Sequence, residues 1–243
     1  LYAKIFIKDE GLDLKNKVFI TGFQGIGFAG YIAVSHMIKQ TKAEPIGYLI
    51  TDLLPPVVSM NGTAISLPYT FYAANDLLFL LPEAVPEQRE RGTLFRKLSY
   101  WLKSSGIREA VLIGGLVNEF KKDENDLARV AYTSKYDASS KSAIMPPTIE
   151  KGLMIVGPIA TLLSLFEALG LPAISILSYV DPNRPDPMGA ANAIKVFNNM
   201  YGKEISTEEL ERDARKIEQE ISEAEKKKMT EGGTSDQHRA LYV

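Results

Sequence analysis

Three sets of residues have types and spacings that could do chemistry. The first is a glycine run, Gly22-Phe23-Gln24-Gly25-Ile26-Gly27-Phe28-Ala29-Gly30, whose second part satisfies the G-x-G-x-x-G pattern. In dinucleotide-binding proteins such glycines turn the chain tightly and let a pyrophosphate approach a helix N-terminus. Gly22, Gly25, Gly27 and Gly30 are therefore a candidate ligand loop. The second set is Asp52, Glu83 and Glu119, carboxylates close to the ends of apolar segments, where α/β proteins bind ligands and place acid and base groups. The third is Leu241-Tyr242-Val243. An aliphatic side chain, a tyrosine and a terminal carboxylate can fill two pockets and pair with a lysine.

The surroundings of each set limit what it can do. A dinucleotide loop needs an acidic residue about 20 positions on, at the end of the second strand, to hold a ribose. Glu44 has the spacing but precedes its strand, and Asp52 follows the strand too late. Phe23, Ile26 and Phe28 inside the turn are bulky and apolar, as a helix wedged into a core requires. The run thus reads as a packing device, with nucleotide binding as the alternative. There is no G-x-x-x-x-G-K-[ST] loop and no G-x-S-x-G elbow. The two histidines, His36 and His238, lie near opposite ends of the chain, and His36 falls at the edge of an apolar helix arc, so it reads as a hydrogen-bonded structural histidine. With no cysteine, disulfides, thiolate metal sites and cysteine nucleophiles are excluded, and the two histidines cannot make a local metal pair. No metal, no cofactor and no catalytic residue is expected.

Lysine and arginine total 28 against 30 acidic residues, a net charge of −2 that supplies no basic field for nucleic acid. No apolar run is long enough to span a membrane, and Lys4 and Lys8 interrupt the start of the chain where a signal peptide would be apolar. A cytoplasmic location is expected. Leu1 in place of Met allows for residues ahead of it.

The elements that must position these residues alternate in type. Strands are expected at Ala3–Ile7, Lys17–Thr21 and Pro45–Thr51, with a nearly all-apolar helix from about Gly25 to Gln40. Short segments at Val57–Met60, Ala64–Pro68 and Phe71–Ala73, broken by Asn61-Gly62 and Asn75-Asp76, predict an antiparallel insertion. Leu77–Leu81 reads as a strand covered on both faces and Glu87–Ser104 as a helix. Ala110–Ile113 is a buried strand ending at Gly114-Gly115, and Arg129–Thr133 a short one. Leu153–Val156, Ile159–Leu169 and Pro172–Leu177 repeat the strand, glycine turn, helix, strand order. Asp186 and Pro187 cap a helix that runs to Tyr201. The pattern defines an α/β fold: a mostly parallel sheet flanked by helices, with a small antiparallel insertion and a C-terminal helical segment.

That last segment runs from Ser206 to Met229, opens on a Ser206-x-x-Glu209 capping box, and places Leu210, Ala214, Ile217, Ile221 and Ala224 on one seam. The seam serves either packing on its own domain or a contact between subunits. The expected organisation is a core domain over residues 1–204, an amphipathic helix over 205–230, and a flexible tail over 231–243 that carries the terminal tripeptide.

In their order along the chain, several of these motifs resemble the proteasome assembly chaperone 2 family in its archaeal branch. They are the glycine turn of Val18 to Ile38, the strand closed by Gly114-Gly115, Leu153-Met154-Ile155-Val156-Gly157-Pro158, Gly170-Leu171-Pro172-Ala173-Ile174, and Pro185-Asp186-Pro187. The resemblance covers Lys17 to Tyr201. It implies an α/β protein of phosphorylase-like fold without a catalytic site, from a family that associates into homo- or hetero-oligomers, here a homo-oligomer such as a tetramer or pentamer. Leu241, Tyr242 and Val243 also match the hydrophobic-tyrosine-any tripeptide that docks between α-subunits of the 20S proteasome. The resemblance thus implies the 20S α-ring as partner, and a role as assembly chaperone or activator. Several tails offered by one oligomer would gain avidity.

Overall fold

The computed structural model describes residues 2–9, 11–61, 64–123 and 125–235. Its centre is an eight-stranded sheet built from β1 (Ala3–Ile7), β2 (Val18–Gly22), β3 (Glu44–Thr51), β6 (Tyr69–Ala74), β7 (Leu77–Pro82), β8 (Glu109–Val117), β9 (Ala128–Tyr132) and β10 (Ala173–Val180). The spatial order is β1-β3-β6-β7-β2-β8-β10-β9. β7, β2, β8 and β10 are parallel neighbours at the centre, and β3 runs in the same direction. β1, β6 and β9 run against them, so the sheet is mixed with most strands aligned. A separate hairpin, β4 (Ser59–Asn61) with β5 (Ala64–Ser66), is the small antiparallel sheet.

The period-two pattern of the central strands feeds two cores. Val18 and Ile20 of β2 face one side with Leu77, Phe79 and Leu81 of β7, whereas Phe19 faces the other with Leu78 and Leu80. On the first side lie α1 (Ala29–Thr41) and α4 (Pro187–Tyr201), which pack on each other. On the second lie α2 (Arg91–Ser104) and α3 (Pro158–Leu169). The connection that leaves β2 therefore crosses one face through α1, and the one that leaves its neighbour β7 crosses the other through α2.

Five expectations are corrected. Phe71–Ala73 belongs to β6 of the main sheet rather than to the insertion, since it pairs with both β3 and β7. The second helix begins at Arg91 rather than Glu87, after a turn in which Glu90 N–H donates to the Glu87 carbonyl. β8 does not end at Gly114-Gly115 but passes through both to Val117. The glycines are needed there for space: a Cβ on Gly115 would lie 2.4 Å from the Ile26 carbonyl oxygen, and one on Gly114 would lie 2.5 Å from Ile159 Cδ1. Leu153–Val156 forms no strand and runs as an irregular segment on the surface. Finally, α5 (Glu208–Ser235) continues past Met229, through Gly232 and Gly233, where a linker was expected. A glycine costs about 1 kcal/mol in a helix, a penalty that a long helix absorbs.

Candidate functional site

The glycine run folds into a 3-10 turn, Ile26–Phe28, that leads into α1. Its glycines meet the protein's own backbone. A Cβ on Gly22 would lie 2.3 Å from the Gly30 carbonyl oxygen, and one on Gly30 would lie 2.3 Å from the carbonyl oxygen of Ile113. Gly27, at φ +60°, sits against Val180, and its carbonyl accepts the Asp186 N–H at 2.8 Å. Gly25 has open space around it. The turn, β8 and the start of α4 are thus locked together, and the geometry gives the dinucleotide alternative no support.

The three carboxylates are not gathered. Asp52, after β3, accepts the Tyr2 N–H at 2.6 Å. Glu83, after β7, accepts the Tyr31 hydroxyl at 2.7 Å, and burial together with this carboxylate pushes the Tyr31 phenol up. Glu119 lies after β8, in a 3-10 turn beside Lys121 and Lys122. Among the described residues there is no cluster of metal-ligating side chains.

The best organised functional feature is the anchor of α5. α4 runs down one face from Asp186, whose carboxylate caps it by accepting the Gly189 N–H at 2.9 Å, and α5 returns along it. His36 Nε2 lies 2.7 Å from the Ser206 carbonyl at the turn between them. The Ser206/Glu209 capping box does not form. Glu209 instead pairs with Lys39 at 2.6 Å, and the Thr207 hydroxyl donates to Glu211 at 2.8 Å. Glu211 also pairs with Lys195 of α4 at 2.9 Å. Hydrogen bonds from Lys39 and Lys195 hold the Glu209 and Glu211 carboxyls below their ordinary range.

Along the seam, Leu210 and Ala214 are 6% and 5% exposed, Ile217 is half-buried and Ile221 is exposed. Where the helix reaches the C-terminal end of the sheet, Glu218 pairs with Arg184, which also holds Asp181 at 2.9 Å. From Glu218 to Glu223 every side chain is exposed. Leu241, Tyr242 and Val243 lie outside the described residues.

Two polar clusters carry no motif in the sequence. Lys141 Nζ sits 4.0 Å from the Tyr201 ring centroid and 5.0 Å from that of Tyr136, and pairs with Glu109 at 3.2 Å. Lys141, Tyr201 and Glu109 border a depression of about 430 Å3 at the opposite end of the sheet from the glycine turn. Glu90, just ahead of α2, is buried beside Thr51 and Tyr69, and neither of its oxygens forms a good hydrogen bond. Burial raises its pKa, the neighbouring Thr51 hydroxyl and Leu53 amide oppose the rise, and the charges of Glu87 and Asp52 add to it. The sequence carried no signal for Glu90, which fell inside the helix expected from Glu87; for Glu109 the signal was a charge opening an apolar strand.

These features define a class: an α/β protein whose glycine turn is closed by its own backbone and whose C-terminal helix is bolted to the core through its first turns. Residues 19–225 match the PAC2 family, and the chain belongs to it. An uncharacterized protein of Methanocaldococcus jannaschii is 23% identical over 238 residues, 98% of each chain. Among solved structures, PbaA of Pyrococcus furiosus, described as an archaeal homolog of proteasome-assembly chaperone, aligns with a TM-score of 0.83 and 22% identity over 99% of both chains. PbaB of the same organism, described as an archaeal proteasome activator, aligns at 0.76 and 20% identity over 92% of this chain and 98% of its own.

Proposed function

We propose that this chain is a non-enzymatic, proteasome-assembly-chaperone-like protein that self-associates and binds or activates the 20S proteasome α-ring through its C-terminal end. The observation that carries this reading is the division of α5. Its first turns are fixed to α1 and α4 by Leu210, Ala214 and the Lys39 and Lys195 pairs, Glu218 adds a pair with Arg184, and the side chains of Gln219–Glu223 are exposed. The 28-residue helix is about 42 Å long, enough to carry its C-terminal end far from the anchors at its start. Family membership and the likeness to PbaA and PbaB support the same reading. Leu241 and Tyr242 then fill the pocket between α-subunits, and the Val243 carboxylate pairs with a lysine there.

The test is a binding and peptidase assay with archaeal 20S particles, comparing the full chain with Tyr242→Ala and with a chain lacking residues 241–243. Loss of binding and of stimulation is expected; unchanged activity in both variants refutes the role given to the tripeptide. Nucleotides, nucleosides and phosphate should leave the melting temperature unmoved, since a genuine ligand at a hundred times its Kd would add about 2.7 kcal/mol.

A further inference from the structure

Leu153-Met154-Ile155-Val156 is an apolar tetrapeptide that its own fold leaves uncovered: Met154 is 86% exposed and Val156 76%. It does not stand alone. Ile159, three residues on, packs over Gly114 on one face of β8, whereas Ile26 lies over the adjacent Gly115 on the other, so the segment and the glycine turn flank the end of that strand from its two faces. On the other side, Leu153 and the exposed Phe120 border one depression of about 460 Å3. Leu153, Met154, Val156 and Phe120 form an apolar crest beyond the C-terminal end of β8. A patch of this kind on a water-soluble surface marks a contact with another molecule.

The rim of the crest is basic. Lys121, Lys122 and Lys151 border the same depression; Lys122 pairs with Glu150, and Lys121 and Lys151 make no ion pair among the described residues. α5 leaves the body at this same end of the sheet, beside Arg184, and there it offers the opposite character. Ile221 is exposed on its seam, flanked by the exposed acids Glu220 and Glu223. An apolar crest rimmed by lysines and an apolar stripe rimmed by glutamates are complementary, and both belong to this chain.

We infer that the crest is a self-association face, and that it receives the Ile217–Glu223 stretch of α5 from a second copy, with Glu220 and Glu223 of that helix set against Lys121 and Lys151. This rests on the self-association proposed above and names the surface that makes it.

The experiment measures the mass of the full chain in solution by light scattering, across a range of concentrations. The wild type assembles. Met154→Asp with Val156→Asp raises the dissociation constant by roughly a hundredfold or more while the chain still melts cooperatively, since both side chains are exposed in the single chain. Lys121→Glu with Lys151→Glu weakens assembly, and adding Glu220→Lys with Glu223→Lys restores it. An assembly of unchanged mass in the Met154/Val156 variant, or a charge exchange that restores nothing, overturns this face and leaves self-association standing. A wild type that stays single at every concentration overturns both, and binding to the 20S particle is then scored separately.

Discussion

His36 Nε2 and the carbonyl oxygen of Ser206 are 2.7 Å apart, which ties the middle of α1 to the turn that launches α5. His36 is buried and the bond is partly so, so removing the imidazole takes away the protein partner of the Ser206 carbonyl. His36→Ala should cost about 1 to 3 kcal/mol and loosen the start of α5 before the sheet. His36→Gln, which keeps a donor at a similar reach, should recover part of the loss. Denaturant unfolding gives the first number and amide exchange across residues 206–214 gives the second.

The glycine turn predicts a graded series. Gly22→Ala and Gly30→Ala drive a methyl into carbonyl oxygens and should cost about 3 kcal/mol or more. Gly25→Ala meets nothing within 4 Å, and its φ of −104° suits any residue, so its cost should stay below about 1 kcal/mol. Thermal melts of the three variants check the order; equal losses would mean that the close backbone approaches are not what the glycines provide.

Glu90 predicts a pH dependence of one sign. Its pKa is raised in the fold, so between the ordinary carboxyl value and the raised one the folded chain holds more protons than the unfolded chain. Its contribution to stability is therefore present below the ordinary value and is lost as pH rises through the raised one. Glu90→Gln removes the charge while keeping the shape, so its stability relative to wild type should improve toward neutral pH. Denaturant midpoints of both proteins across that range give the comparison.

The pairs that hold α5 titrate the other way. Glu209 and Glu211 are depressed in the docked state, so their contribution is complete above the ordinary carboxyl range and fades as pH falls through the depressed values. Exposed pairs of this kind contribute little individually, whereas Leu210→Ala should cost about 2 to 3 kcal/mol. Amide exchange over α5, corrected for its intrinsic pH dependence, should show mild loosening in acid and strong loosening in the Leu210 variant.

The sheet was legible because its strands carry their own pattern: Val18 to Gly22 and Leu77 to Pro82 alternate between two cores, and Asp186-Pro187 announces a helix that the structure caps as expected. Leu153 to Val156 misled because apolar composition predicts burial without saying by what. Gly114-Gly115 misled because a glycine pair reads as a stop when its neighbours in space are unknown; here it makes room for the Ile26 carbonyl and Ile159. His36 was read correctly as structural, but its partner Ser206 is 170 residues away, a pairing that no local pattern encodes. Of the candidate site, the glycine turn and the first half of the seam were visible in the sequence. The split of α5 into a held part and a free part depends on where α4 begins, which only the tertiary structure supplies.

The continuity of α5 through Ser235 gives its length an angular meaning. Each residue in a helix advances the chain about 1.5 Å and turns it about 100°. Beyond Glu218, where α5 pairs with Arg184 of the body, the number of residues acts as a phase setting for the chain end that the helix carries. One residue added there would swing the exit direction by more than a right angle, whereas seven would leave it nearly where it was. Relatives that keep the same heading should therefore differ in this stretch by whole heptads.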